Sequence, residues 1–251
     1  MPENHPCGKT DIEHRLHKLV ARVRLAEKTY GREPGSVQIL PVSKTRPAHK
    51  LAELTALALP GVGNAFGENY LQEAENKITQ LAELNLQWHF IGPIQSNKTQ
   101  AIAQLFQWVH SVDRIKIARR LNNQRPADLP PLNVCLQINV SSETSKSGVS
   151  LDALPALASQ VATLPNLRLR GLMAIPAASG NMTAQRAAFA TVREVFHSLN
   201  LSQSPEIAKP EWDTLSMGMS ADLEAAIAEG ATIVRIGTDI FGPRVAQGTV
   251  D

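Results

Sequence analysis

The sequence predicts an α/β protein, a (β/α)8 barrel of the TIM type preceded by an N-terminal helix and without a second domain. Three observations lead there. About eight short runs rich in Val, Ile and Leu alternate with longer segments whose apolar residues recur every three or four positions, the pattern of parallel strands joined by helical crossovers. Eight such units in 251 residues match the span of one closed barrel. No repeat, linker or break in composition divides the chain, so one domain over residues 1–251 is expected, with residues 1–10 flexible. An open doubly wound sheet carries the same alternation.

In order, Ile12, Leu16, Leu19, Val20, Val23 and Ala26 recur at helical spacing across residues 12–30, with Asp11 suited to cap the start and Gly31 to stop the helix. The first strand is Val37-Gln38-Ile39-Leu40-Pro41-Val42, short, branched and bounded by turn formers. A helix through Leu51, Leu54 and Leu57 leads to Phe66-Gly67-Glu68-Asn69-Tyr70, and Leu71, Ala74, Ile78 and Leu81 stripe the next helix before the strand Trp88-His89-Phe90-Ile91-Gly92. Residues 93–105 read as a helix, Trp108-Val109-His110-Ser111-Val112 as a strand ending at Asp113, and Ile115, Ala118 and Leu121 as a helix stripe. The strand through Cys135 ends in a polar turn over residues 141–148. A helix with Leu151, Leu154, Leu157 and Val161 follows, then a strand over residues 167–175 and a small-residue loop over 178–183. Phe189, Val192, Val195, Phe196 and Leu199 mark a helix, and residues 202–211 an exposed loop. The last two strands are Thr214-Leu215-Ser216-Met217, with a helix through Leu223 and Ile227 after it, and Thr232-Ile233-Val234-Arg235-Ile236.

Composition narrows the function. Hydrophobic residues at 43% and charged residues at 19% are those of an ordinary globular protein, and a net charge of +2 without a run of Lys and Arg points away from nucleic acid. No stretch approaches the length of a membrane span and no secretory leader opens the chain. Cys7 and Cys135 are the only cysteines, neither in a His-Cys cluster, so neither a zinc site nor a bridge is expected and a cytoplasmic location is.

Lys44 stands where the first strand opens onto the barrel mouth. A half-desolvated lysine there can lose its proton and attack an aldehyde, the chemistry of a Schiff base; on the strand alone the commoner reading is a lysine whose stem packs on the core and whose ammonium reaches water. Barrels often bind phosphate in the loops after strands seven and eight. Here those loops are Ser216-Met217-Gly218-Met219-Ser220-Ala221-Asp222 and Gly237-Thr238, both rich in small residues, although Ser220 or Asp222 is also an ordinary helix cap. Arg235 interrupts the eighth strand and shares a face with Gly237, facing either a polar ligand or a structural ion pair. Asn69 falls at a strand-to-helix turn. His89 reads as a core histidine and Lys146 as an exposed lysine able to meet an anion. A phosphorylated aldehyde satisfies the lysine, the cradle and the arginine together, and pyridoxal 5′-phosphate (PLP) fits.

The same stretches resemble a known family, the pyridoxal phosphate homeostasis proteins. The resemblance runs through Val42-Ser43-Lys44-Thr45, Phe66-Gly67-Glu68-Asn69-Tyr70, His89-Phe90-Ile91-Gly92, Gln95-Ser96-Asn97-Lys98, Gly171-Leu172-Met173, Leu215-Ser216-Met217-Gly218-Met219-Ser220 and Arg235-Ile236-Gly237-Thr238. It implies a fold similar to the N-terminal barrel of alanine racemase, with PLP held covalently on Lys44, its phosphate at Ser220, Gly237 and Thr238, and Arg235 near the pyridine nitrogen. Asn69, Met173, Ser216 and Met219 complete the implied cofactor-binding set. No residue is expected to be catalytic and no metal is expected. Racemases carry a tyrosine four residues after their lysine, where this chain has Ala48, and a further domain that supplies a second base, for which the chain ends too soon after strand eight. The expectation is therefore a monomeric PLP carrier that serves PLP homeostasis, with PLP-dependent apo-enzymes as partners. A PLP-dependent amino-acid racemase with a nonstandard acid/base pair and a Schiff-base aldolase on a sugar phosphate are the rival readings.

Overall fold

Helices and strands alternate through the computed structural model, which describes residues 11–59, 62, 64–140, 147–201 and 211–243. Helix α1 (Asp11–Thr29) leads to β1 (Gln38–Pro41), α2 (Ala48–Ala56), β2 (Ala65–Glu68), α3 (Leu71–Gln80), β3 (Gln87–Phe90), α4 (Thr99–Leu105) and β4 (Trp108–Val112). Then come α5 (Ile115–Gln124), β5 (Leu132–Ile138), α6 (Leu154–Ala162), β6 (Leu167–Ala174), α7 (Met182–Leu201), β7 (Thr214–Ser216), α8 (Leu223–Ala228), β8 (Ile233–Ile236) and α9 (Thr238–Phe241). All strand pairs are parallel, in the order β1-β8-β7-β6-β5-β4-β3-β2. The seam between β1 and β2 is held by one bridge, Val42 to Gly67, where the Ser43 N–H donates to the Gly67 carbonyl at 3.0 Å. The barrel is thus nearly closed, and the open-sheet alternative falls.

Strand alternation sorts the side chains into two cores. Outward residues such as Ile39, Phe66, Phe90, Val109, Leu136, Leu172 and Val234 pack beneath the helices. Inward residues form two smaller apolar groups, Leu40, Val42, Ala65, Ile91 and Ile233 on one side and Trp108, Cys135 and Met173 on the other. Gly67 sits at the seam because an added Cβ would lie 3.2 Å from Ile91 Cδ1 and 3.3 Å from Leu40 Cδ2. At the opposite end of the barrel, a bulge between β5 and β6 inserts Arg170, whose guanidinium covers the Trp108 ring at 4.6 Å and bonds Asp213 at 2.6 Å.

Helix α1 buries Ile12, Leu16, Leu19, Val23 and Ala26 along one stripe and packs on α8 and α9. Arg22 clasps both, pairing with Glu224 and with Asp239, the latter at 2.9 Å. Three boundaries differ from the sequence expectation. Residues 96–98 form a 3₁₀ turn and α4 starts only at Thr99. Leu151 lies in a turn ahead of α6. Helix α7 begins inside the expected 178–183 loop because Asn181 Oδ1 accepts the N–H groups of Thr183 and Ala184 and so caps it. Cys135 is buried and unbridged. Residues 1–10 with Cys7, Lys146 and most of the expected 202–211 loop lie outside the described residues. Among the described residues no helix is long and apolar enough to cross a membrane.

Gly171, φ 152°, packs so closely on β7 that a Cβ would overlap the Thr214 carbonyl. Gly171→Ala is expected to lower the free energy of unfolding in urea by more than about 2 kcal/mol. Gly180→Ala, where a Cβ meets nothing within 4 Å, serves as the control and stays within about 0.5 kcal/mol of the parent.

Candidate functional site at the barrel mouth

Lys44 lies just past β1 in a tight turn where the Arg46 N–H donates to the Ser43 carbonyl at 3.0 Å. Both neighbours of the lysine are fastened. Ser43, fully buried, donates its hydroxyl to Glu68 Oε1 at 2.6 Å, and its carbonyl accepts from Lys77 Nζ at 2.6 Å. Lys77 also donates to Glu68 Oε1 at 2.7 Å and to Glu73 Oε1 at 2.6 Å, and that same Glu73 oxygen takes the Thr45 N–H at 2.6 Å. Thr45 has a φ of 63°, a left-handed conformation that is unfavourable for a branched residue and is kept by these surroundings. Burial raises the Glu68 carboxyl pKa, against the opposing pull of Lys77.

The half-buried Lys44 side chain lines a cavity of about 260 Å³ at the C-terminal ends of the strands. Val42, Ile91, Ile175 and Met219 give it apolar walls, while Asn69, Ser220, Arg235, Gly237 and Thr238 bring polar atoms from the ends of β2, β7 and β8. Asn69 Oδ1 is buried and has no hydrogen-bond partner, an orphan that a ligand would satisfy. Gly237 lets its backbone approach β1, since a Cβ there would come within 3.3 Å of the Val42 carbonyl. The Met219 N–H is already taken by Asp222 Oδ1 at 2.6 Å, so the turn after β7 offers the Ser220 hydroxyl and the Met219 side chain rather than that amide. These polar groups fit a small phosphorylated ligand with an amine-reactive end. No group of three or more His, Cys, Asp or Glu able to hold a metal occurs among the described residues.

Arg235 enters from β8, 4% exposed, and among the described residues its partners are backbone and hydroxyl oxygens rather than a carboxylate. It donates to the Ser216 carbonyl at 2.5 Å, to Ser216 Oγ at 2.8 Å and to the Ala174 carbonyl at 2.9 Å. Burial lowers its pKa to about 10, offset in part by Asp222, so it is a cation at neutral pH. Beneath it a file of side chains continues, buried from Ser216 to His89: Ser216 Oγ lies 2.7 Å from His110 Nδ1, His110 Nε2 2.9 Å from His89 Nδ1, and His89 Nε2 3.1 Å from Oε1 of the exposed Gln87. His89 stacks on Trp108 with ring centroids 5.3 Å apart. Burial pushes the His89 pKa down to about 3; burial, then His89 and Arg235, push that of His110 down as well. Both rings are neutral.

Lys44, Asn69, Met219, Ser220, Arg235, Gly237 and Thr238 are thus gathered on one cavity, whereas Met173 and Ser216 lie fully buried below it. Asp113 pairs with Arg114 at 2.7 Å and is not among the residues that line the cavity. Sequence reasoning missed Lys77, Glu68 and Glu73 as supports of the lysine turn, and His110 altogether. A signal for His110 was present, since His89 and His110 occupy inward positions of adjacent strands. Lys77 offered less: it lies on the Ala74 face of α3, where an apolar residue is the usual expectation.

Over residues 15–245 the chain matches the family model described as alanine racemase, N-terminal domain. The pyridoxal phosphate homeostasis protein of Pseudomonas aeruginosa is 60% identical over 233 residues, covering 93% of this chain and 96% of that one. The protein of the same name from Escherichia coli K12 is 49% identical over 237 residues, covering 93% and 97%. PipY of Synechococcus elongatus PCC7942, solved with PLP bound, superposes with a TM-score of 0.79 at 34% identity, covering 92% of this chain and 100% of that one.

Two predictions test the site's supports. Lys77→Met leaves Glu68 buried without its cation and is expected to cost about 3–5 kcal/mol in urea denaturation, part of which Glu68→Gln recovers in the same background. The histidines give a pH dependence. Below about pH 6.5 the unfolded chain binds protons that the native barrel refuses, so stability falls as pH drops from 6.5 toward 4, by up to about 1.4 kcal/mol per unit for each ring. Denaturation curves at pH 7.5 and 5 check this, with a shallower loss expected in His110→Asn.

Proposed function

Because the chain belongs to the pyridoxal phosphate homeostasis proteins, whose barrel is that of the alanine racemase N-terminal domain, we propose that it binds PLP at the Lys44 cavity. In this reading it holds the cofactor reversibly for PLP homeostasis in the cytoplasm, releases or delivers it to PLP-dependent apo-enzymes, acts as a monomer and catalyses no turnover of its own. One observation carries the reading. A single lysine amine and the two small-residue turns after β7 and β8 share one cavity floored by a buried arginine.

Bound there, the cofactor supplies an aldehyde that condenses reversibly with a primary amine. Lys44 is the one amine among the described residues that line the cavity, and we assign the covalent attachment to its Nζ. Ser220, Thr238 and the backbone at Gly237 hold the phosphate, and the Asn69 amide meets a polar edge of the ring. Arg235 serves the pyridine nitrogen, and Met219, Ile91 and Ile175 keep water from the faces. A cation opposite that nitrogen disfavours its protonation and so weakens the ring as an electron sink. Neither a tyrosine, a histidine nor a carboxylate is among the described lining residues, which favours holding over proton transfer.

The test is spectroscopic. The purified protein mixed with PLP is expected to show an imine absorption band that survives dialysis, and Lys44→Ala to lose it; a variant that keeps the band removes the covalent assignment. Ser220→Ala combined with Thr238→Val is expected to weaken PLP binding about tenfold or more, the loss of two hydrogen bonds to an anion. Amino-acid racemization that vanishes in Lys44→Ala would turn the carrier into an enzyme.

A further inference from the structure

The file of side chains under Arg235 runs through the barrel interior, and none of its members lines the cavity. It separates the two inward apolar groups, with Ile91 and Ile233 on one side and Trp108, Cys135 and Met173 on the other. Its four hydrogen bonds have only one consistent proton arrangement once the two ends are fixed. At the top the Arg235 guanidinium can only donate, so Ser216 Oγ accepts there. At the bottom Gln87 Oε1 can only accept, so His89 Nε2 carries the proton and His89 Nδ1 is left as an acceptor. His110 Nε2 must then donate to His89, His110 Nδ1 must accept, and the Ser216 hydroxyl proton points at His110. Every member donates to the one below it.

We propose that Gln87, His89, His110 and Ser216 form a proton-ordered relay that positions Arg235. The relay turns the lone pairs of Ser216 toward the guanidinium and so anchors a buried cation that no carboxylate among the described residues contacts directly. His110 is the positioning residue. If its proton sat on Nδ1 instead, that nitrogen would donate to Ser216, and the serine would have to accept from two donors while its own hydrogen lost its partner. With His110 in the ordered form, three hydrogen bonds fix the guanidinium on Ser216 and Ala174, and its remaining N–H groups are left for the cavity that it lines. The relay does not conduct protons, because transfer along it would have to begin by deprotonating Arg235. It is a fixed row of dipoles whose accepting ends point toward the cation.

The tautomers of His89 and His110 are measurable without any cofactor, by long-range ¹H–¹⁵N correlation spectra of the imidazoles in the full-length protein. Both rings are expected to carry a single proton, on Nε2, from pH 8 down to pH 5, and Ser216→Ala is expected to disturb the pattern at His110. A proton on Nδ1 of either ring, or a doubly protonated ring at pH 6, overturns the relay. A second arm rests on the functional reading above. His110→Leu, which leaves the Ser216 hydroxyl without its acceptor, is expected to weaken PLP binding about tenfold, as one disrupted buried hydrogen bond would. His110→Asn, which restores an acceptor near the Nδ1 position, is expected to stay within about twofold of the parent by the same reasoning. Equal affinities for the Leu and Asn variants overturn the positioning role. If the parent protein takes up no PLP, the functional reading falls while the tautomer spectra still decide the relay.

Discussion

One backbone contact, the Ser43 N–H on the Gly67 carbonyl, carries more of the architecture than its size suggests. The parallel ladders account for the junctions from β1 through β8 and round to β2, and this contact with the Val42–Gly67 bridge makes the remaining one. It lies directly beside Lys44. The lysine therefore emerges at the seam of the barrel, and the seam is reinforced by charge: Lys77 ties the Ser43 carbonyl to Glu68 on β2 and Glu73 on α3. Buried ion pairs of this kind add little net stability compared with apolar packing, but removing one member is costly, so they specify a single arrangement. The arrangement specified here is the direction in which Lys44 leaves the strand.

The interior follows a related logic with a different solution. Barrels of this class commonly fill their centre with branched apolar layers, whereas here a polar file replaces part of that filling. A guanidinium at the floor of the mouth needs acceptors, and the surrounding strands offer two carbonyls and one hydroxyl in place of a paired carboxylate. The residues beneath stay neutral, so charge is concentrated at the end of the barrel where a ligand enters. At the opposite end Arg170 covers Trp108 and pairs with Asp213, closing the base with packing and an ion pair.

Much of this was legible in the sequence, for reasons that differ between residues. The alternation of branched runs and helical stripes carried the fold because each strand is short and buried on both faces, which leaves a strong periodic signature. Lys44, Ser220, Arg235, Gly237 and Thr238 were readable as a group since a barrel places every strand end on one rim. Met173 and Ser216 were harder to place, because position on an inward strand face does not say how deep a side chain sits. Helix α7 was misjudged at its start because a single amide, Asn181, decides where a run of small residues begins to coil. Lys77 and His110 escaped notice because their deciding partners, Ser43 and Ser216, lie 34 and 106 residues away in the chain; the inward register of His89 and His110 and the Glu73–Lys77 spacing were readable, but not what they support.

The cavity also spans the chain. Its walls are drawn from Val42 near the start of the chain and from Thr238 near residue 243, the last described position, and α1 is clasped by Arg22 to α8 and α9. Asn69 and Ile91 follow Lys44 closely in the chain, yet Arg235 and Thr238, which line the same cavity, come almost two hundred residues later. The cavity therefore needs Thr238 as well as Lys44, and no fragment that stops before Arg235 contains both its lysine and its arginine floor.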